Sequence, residues 1–302
     1  KFLRDPHKKM AAVFGEPFPT IGLKSKLEPA HFPDKTLEAV TTACMKYQDE
    51  FRLQQSEKKK IEKYKKLLGV DEMPQITNPQ VFLPPYFEFS NCGDAWYKLS
   101  LQSIVYAAKV QAPARIRPVL HFSKFGDNDW KGTIDELKEL GIKSVLLYPK
   151  DFQEHKKSAD ELMRYTKAVQ TFAESGIEPY TLHGGYYAIT LEKKGLVGFG
   201  NGIGYGEWRD SGYHRGGTAE TRIYVPRLHR FLESAKVQAL MDYDSAAFSA
   251  GSTLLQTSVA NARPIQSISL EEALDHFMEC RKAELEFVSK NTQSEIAAEL
   301  TV

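Results

Sequence analysis

The segment PYTLHGGYYAITLEKKGLVGFGNGIGYGEWRD, residues 179–210, decides how the rest of the chain is read. Gly198, Gly200, Gly202, Gly204 and Gly206 occupy alternate positions, so in an extended chain all five share one face and leave a strip of bare backbone. Glycine weakens a strand by forfeiting packing and adding unfolded-state entropy, and a run of this kind implies close approach of something to the backbone. A flat ligand is the expected occupant. Phe199, Asn201, Ile203, Tyr205 and Glu207 take the opposite face, and upstream Leu182-His183-Gly184-Gly185-Tyr186 forms a second glycine-relieved corner after an apolar run. The two loops are expected to meet over one pocket, the competing reading being a glycine-rich surface loop without a ligand.

Outward from this segment, short apolar runs alternate with helix-length stretches, the pattern of a parallel sheet with crossover helices. Strands are expected at Phe2–Arg4, Val81–Pro84, Pro118–Phe122, Ser144–Tyr148, Pro179–Leu182, Leu196–Gly200 and Arg222–Val225, with Ala239–Tyr243 as a possible eighth. Helices are expected at Trp96–Val110, Ile134–Leu140, Ala159–Ser175 and Leu232–Leu240, with Gly141 and Gly176 as stop signals. Thr36–Leu68 reads as a long helix ending at Gly69, its basic stretch KKKIEKYKK (58–66) a solvated face diluted by Glu50, Glu57 and Glu62, with phosphate contact as the alternative. A Gly-, Ser- and Thr-rich stretch, Ser249–Ser269, precedes a final amphipathic helix at Leu270–Ser289. The rhythm predicts a single α/β domain over residues 1–302: a (β/α)8 TIM-type barrel, with some irregularity, a largely helical insertion at about 14–79 and a C-terminal helical segment at about 270–302. A Rossmann sheet fits less well, because no GxGxxG turn follows a first strand.

The 302 residues suffice for a substantial core, and 40 basic against 39 acidic side chains give no overall field that would draw in nucleic acid. Cys44, Cys92 and Cys280 are too few and scattered for a disulfide framework or a zinc knuckle, so no metal is expected and a reducing compartment suits the chain. No run of 18 apolar residues and no signal-like segment is present, from which a soluble, cytoplasmic protein without a membrane partner is expected. Lys1 rather than Met begins the sequence, which suggests a further N-terminal piece.

In a barrel the residues just past each strand line the active site. Here that rim carries Asp5, Tyr86, Phe87, Glu88, His121, Lys124, Lys150, Asp151, Glu154, His183 to Tyr187, Asn201 to Arg209 and Arg227 to Arg230. Tyr86, Phe87, Tyr186, Tyr187, Tyr205 and Trp208 are candidates to sandwich a planar heterocycle, at about 1–3 kcal/mol per stacked base, against the plainer reading of strand-end packing. Asp5, Asp151, Glu154, Glu207 and Asp242 supply carboxylates of the kind that cleave a glycosidic bond, by attack at the anomeric carbon or by activating water. Arg209, His214, Arg215, Arg227, His229 and Arg230 are candidates to grip bordering phosphates.

The run from Gly195 to Glu207 resembles the base-recognition segment of tRNA-guanine transglycosylases, in which a glycine-rich strand end closes on a Gly-Glu pair. Leu182-His183-Gly184-Gly185-Tyr186 resembles that family's Gln-Gly-Gly corner, with His183 in the glutamine's place. Arg222 to His229 is similar to the following strand, and His276-Phe-Met-Glu-Cys-Arg281 to the closing helix. The likeness spans roughly residues 177–290, but the family's Cys-x-Cys-x-x-Cys zinc segment and its DSGGFQ motif are absent. Loss of the zinc segment points from tRNA toward DNA-directed relatives, including deazaguanine transglycosylase-like enzymes and anti-phage glycosylases that remove bulky glucosylated bases.

The resemblance implies a glycosylase that flips a modified base out of DNA, at a cost of a few kcal/mol, and leaves an abasic site without any cofactor. Under it Asp5 or Asp242 attacks or activates water at C1′, and Glu207 orients the base or donates a proton. His183, Gly184 and Gly185 fix the base edge, and Gly202, Gly204, Tyr205 and Gly206 bound its pocket. Three alternatives stand beside it: a base-exchanging transglycosylase on DNA or tRNA, a barrel enzyme holding a phosphate ester or flavin at Gly202 to Gly206, and a non-catalytic nucleic-acid-binding module.

Overall fold

The computed structural model describes residues 14–15, 18, 26–50, 79–124, 129–201 and 221–300. Five parallel strands form one sheet: β1 (Glu88–Phe89), β2 (Val119–Phe122), β3 (Ser144–Pro149), β4 (Glu178–Thr181) and β5 (Gly198–Phe199), adjacent in the order in which the chain makes them. Helices occupy the crossovers, as parallel pairing requires. They are α2 (Ala95–Val110), α3 (Lys131–Glu139), α4 (Ala159–Glu174) and the short α5 (Tyr186–Thr190), while α1 (Asp34–Asp49) precedes the sheet. All four side chains of β2 are buried, the signature of a strand covered on both faces. The architecture is therefore α/β, and the described strands stop short of a closed barrel.

Chain contacts divide into two units, Lys1–His121 with Asp127–Val145, and Phe122–Gly126 with Leu146–Val302. In the first, α1 packs on α2 around Phe32, Leu37 and Tyr106. Gln48 on α1 imitates a strand partner: its amide Nε2 donates to the Leu83 carbonyl and its Oε1 accepts from the Leu83 N–H, both at 2.8 Å. The strand expected at Val81–Pro84 contracts to one parallel bridge, Phe82 to Ile116, because Pro84 and Pro85 have no N–H to extend the ladder.

In the second unit, the capping box of Ser158 and Glu161 starts α4, and Gly176 in the left-handed region (φ +83°) ends it. Gly141 closes α3 in the same way (φ +72°), so both predicted stop signals act as read.

Beyond the sheet the sequence reading needs two corrections. Arg222–Val225 (β6) is not a further parallel strand but pairs antiparallel with Arg230–Glu233 (β7), with Arg222 opposite Glu233 and Val225 opposite Arg230. Pro226 starts a 3-10 turn and His229 adopts φ +49°, which reverses the chain within four residues, so the strand meets its own continuation. Ala239–Tyr243, expected as an eighth strand, lies inside α6 (Ser234–Ser249). Val237 and Met241 are buried four residues apart on one face, a helical spacing that the apolar composition alone concealed.

The hairpin's inner side chains Ile223, Val225 and Leu232 pack with Val237 and Met241 of α6, Leu255 of α7 (Thr253–Ala260) and Ala273 of α8 (Leu270–Lys290). The Gly-, Ser- and Thr-rich stretch between Ser249 and Ser269 contains this helix α7, opened by the Ser252 hydroxyl accepting from the Leu255 N–H. α9 (Gln293–Leu300) completes the described chain, and no helix among the described residues is long and apolar enough to cross a membrane. The strand expected at Phe2–Arg4 and the helix beyond residue 50, with Gly69, lie outside the described residues.

Candidate active site

A cleft of about 350 Å³ opens in the second unit where three segments converge. The loop after β3 contributes Phe152 to Lys156, the corner after β4 contributes Gly185, and the β6–β7 hairpin contributes Arg222 and His229 to Glu233, with Lys236 at the start of α6. The first two segments follow the C-terminal ends of parallel strands, where α/β folds hold their sites.

Glu154 stands on the 3-10 turn Glu154–Lys156, and its Oε2 accepts the Tyr187 N–H at 3.0 Å. That N–H belongs to the first turn of α5, one of the amides a helix leaves without an internal acceptor. The carboxylate reaches it across Gly185: a Cβ there would lie 2.9–3.0 Å from both Glu154 oxygens. Lys156, Arg222, Arg230 and Lys236 outnumber the cleft's two carboxylates, Glu154 and Glu233. Lys236 pairs with Glu233 at 2.9 Å, whereas neither Lys156 nor Arg230 has a carboxylate partner among the described residues. Burial, then the charges of Arg230 and Lys156, hold His155 below the ordinary histidine pKa.

His229 is the most constrained residue on the wall. Its backbone is left-handed (φ +49°, ψ +38°), which costs a non-glycine residue on the order of 1 kcal/mol. Its ring lies flat on that of Tyr186, centroids 3.5 Å apart and planes 6° from parallel. Nδ1 is 2.8 Å from Oε1 of Glu284, a residue of α8 that is only 7% exposed. Glu284 also accepts from the Tyr224 hydroxyl (2.6 Å, Oε1) and from Arg281 (2.9 Å, Oε2), and the Arg281 guanidinium lies over the rings of Tyr224 and Phe277.

Of the residues proposed from sequence, Gly185 and Arg230 reach the cleft, together with Glu154 and His229 from the wider rim. Tyr186 supports His229 from below; it is 3% exposed, so its ring has no face left for a base. Gly184 serves packing: its N–H donates to the Gly200 carbonyl at 3.0 Å, and a Cβ would stand 2.3 Å from that of Ala188 on α5. His183 is half-buried with its ring 5.6 Å from that of Tyr148. Arg227 is exposed on the hairpin turn and does not line the cleft.

Asp242 is displaced from the expected role. It is exposed on α6, accepts from Gln238 at 2.9 Å, and lines a separate pocket beside Ser258 and Arg263, because the segment bearing it is helical rather than a strand. Tyr86 and Phe87 belong to the first unit. Phe87 packs in its core, 5.0 Å from the Phe32 ring and 5.1 Å from the Trp96 ring, while Tyr86 is 39% exposed with its ring 6.2 Å from that of His121. Asp5, Gly202, Gly204, Tyr205, Gly206, Glu207, Arg209, His214 and Arg215 lie outside the described residues.

The glycine strip changes meaning at its described end. A Cβ on Gly198 would meet the Tyr180 ring at 3.1 Å, and one on Gly200 would stand 2.3 Å from the Leu182 carbonyl oxygen. At these two positions the chain itself fills the bare face, in place of the ligand expected there.

Glu284 escaped the sequence reading altogether. Its signal was the charged pair Arg281 and Glu284 set among Phe277, Cys280 and Val288 on the buried side of an amphipathic helix, where an unpaired charge is costly. Among the described residues no group of three or more His, Cys, Asp or Glu side chains is arranged to hold a metal ion. Comparison with family models, curated proteins and solved structures gave no match.

Proposed function

We propose that this chain is an N-glycosylase acting on a modified, bulky nucleobase in DNA, of the tRNA-guanine transglycosylase-like kind, with the described sheet as part of a (β/α)8 barrel and a role in defence against phage DNA. The observation that carries the reading is the Glu154 carboxylate, held at the cleft wall by the Tyr187 amide and surrounded by cations. A glycosidic bond breaks through a transition state with oxocarbenium character, which a fixed carboxylate stabilises while activating water. Lys156, Arg222 and Arg230 suit the phosphates on either side of a flipped nucleotide. The strand order supports the barrel, since a sheet whose spatial and chain orders agree has no switch point of the doubly wound type. In this reading Glu154 takes the water-activating part expected of Asp5 or Asp242, and Glu207 orients the base.

The test is incubation of the full chain with ordinary DNA, heavily modified phage DNA and tRNA, with released bases and alkali-labile sites measured. Base release from modified DNA, lowered about 100-fold or more by Glu154→Gln, is the expected result, general acid–base groups contributing about 10²–10⁴-fold. No release from any substrate, with and without an added free base for exchange, overturns it. A second reading draws on Lys156 and Arg230, which lack carboxylate partners among the described residues: a cleft for a small phosphate ester. Saturable binding of a sugar phosphate without base release favours that reading.

A further inference from the structure

We propose that His229 delivers the proton to the departing base in this cleft, and that Glu284 is its positioning residue. The inference rests on the glycosylase reading above and moves to His229 the proton donation that the sequence offered to Glu207, since Glu154 supplies a base and a leaving nucleobase nitrogen needs an acid.

The hydrogen-bond network fixes the imidazole. Arg281 donates to Oε2 of Glu284 at 2.9 Å, so the carboxylate acts as an acceptor at that oxygen. Oε1 already takes the Tyr224 hydroxyl proton at 2.6 Å, so His229 must present an N–H at Nδ1, 2.8 Å away. That assignment leaves Nε2 as the ring's other nitrogen, and Nε2 has no hydrogen-bond partner among the described residues while the residue lines the cleft. The Tyr186 stack restrains the ring from tilting. A carboxylate fixing one histidine nitrogen so that the other can move a proton is the general logic of an oriented acid–base group.

The groups facing His229 are Glu284 and Arg281 from α8, Tyr224 from β6, Tyr186 from α5, Arg230 next to it in β7, and Glu154 with its neighbours across the cleft. Because Arg281 balances Glu284, the imidazolium form adds one positive charge, which the DNA phosphates and Glu154 oppose. The step balances as hydrolysis. Glu154 removes a proton from water as the water oxygen bonds to C1′. The C1′–N bond breaks with its electron pair going to the base nitrogen, and the proton on Nε2 passes to that nitrogen. His229 is left neutral with Nδ1–H, and the proton on Glu154 returns to it through solvent.

Two measurements on the full chain test this. Long-range ¹H–¹⁵N spectra of the unliganded protein should show the neutral His229 ring as the Nδ1–H tautomer, and Glu284→Gln should mix the tautomers. On modified phage DNA, His229→Asn, whose side chain tolerates the left-handed turn, should lower kcat about 100-fold with KM within about twofold. It should also flatten the alkaline limb that a general acid gives to a rate profile. Glu284→Gln should lower kcat about tenfold and alter the same limb. An Nε2–H tautomer in the wild-type spectrum overturns the positioning role without need of any variant. An active wild type whose rate and pH profile survive His229→Asn overturns the proton delivery while leaving the glycosylase reading intact. A wild type that releases no base from any substrate overturns both.

Discussion

The carbonyl oxygen of Leu182 occupies the place where a side chain on Gly200 would begin, 2.3 Å from its Cβ position. Gly200 donates its N–H to Thr181 at 2.9 Å and accepts from Gly184 at 3.0 Å, so neither strand end can slide away. Gly200→Ala is expected to destabilise the chain by about 1–3 kcal/mol, the usual range for overpacking. Urea unfolding measures it, and an unchanged midpoint would contradict the close approach.

Gly185 makes a contrasting case, because its neighbour is the end of a flexible side chain. Gly185→Ala should push the Glu154 carboxylate off the Tyr187 amide and, if the proposed glycosylase activity holds, lower base release at least tenfold. Its cost in stability should stay below about 1 kcal/mol, because only the end of the flexible Glu154 side chain has to move. Parallel loss of stability and activity would mean that the corner is structural only.

His276 gives the fold a pH dependence. It is 2% exposed, with Nε2 2.8 Å from the Tyr224 carbonyl, and burial lowers its pKa from 6.5. Between the folded value and 6.5 the unfolded chain binds a proton that the native chain refuses, so stability rises with pH across that window. The contribution is complete above 6.5 and is lost as pH falls through the folded pKa. The urea midpoint should drop on acidification from pH 7 to 5, and His276→Gln should flatten that drop.

The thiols should be inert in the native state. Burial pushes Cys280 to about 12 and Cys44 to about 11, and raises Cys92 as well, so little thiolate exists at neutral pH. Iodoacetamide at pH 7.5 is expected to label all three in urea, and none within the same time in the folded protein. Mass spectrometry of the digest reads the result.

The parallel sheet was legible because its strands are short apolar runs separated by helix-length stretches, and Gly141 and Gly176 mark helix ends by a conformation few other residues accept. The hairpin was not. Arg222–Val225 reads alike in either sheet, and only the tertiary meeting with Arg230–Glu233 chooses. For the site, Gly185, Glu154 and Arg230 could be found as strand-end residues, whereas Glu284 is catalogued by sequence as one more charge on a helix. Gly184 and Gly200 show the opposite hazard, since a glycine that relieves a clash within the chain is written with the same letter as one that admits a ligand.

The histidine of the cleft and the glutamate that orients it are 55 residues apart, with the hairpin made first. During synthesis the sheet and the cleft's cationic wall emerge before Glu284 has left the ribosome, and N-terminal parts fold first. The ring at position 229 therefore acquires its orientation last, as the eighth helix docks. A nascent or C-terminally shortened chain carries the hairpin with the His229 ring unanchored at Nδ1.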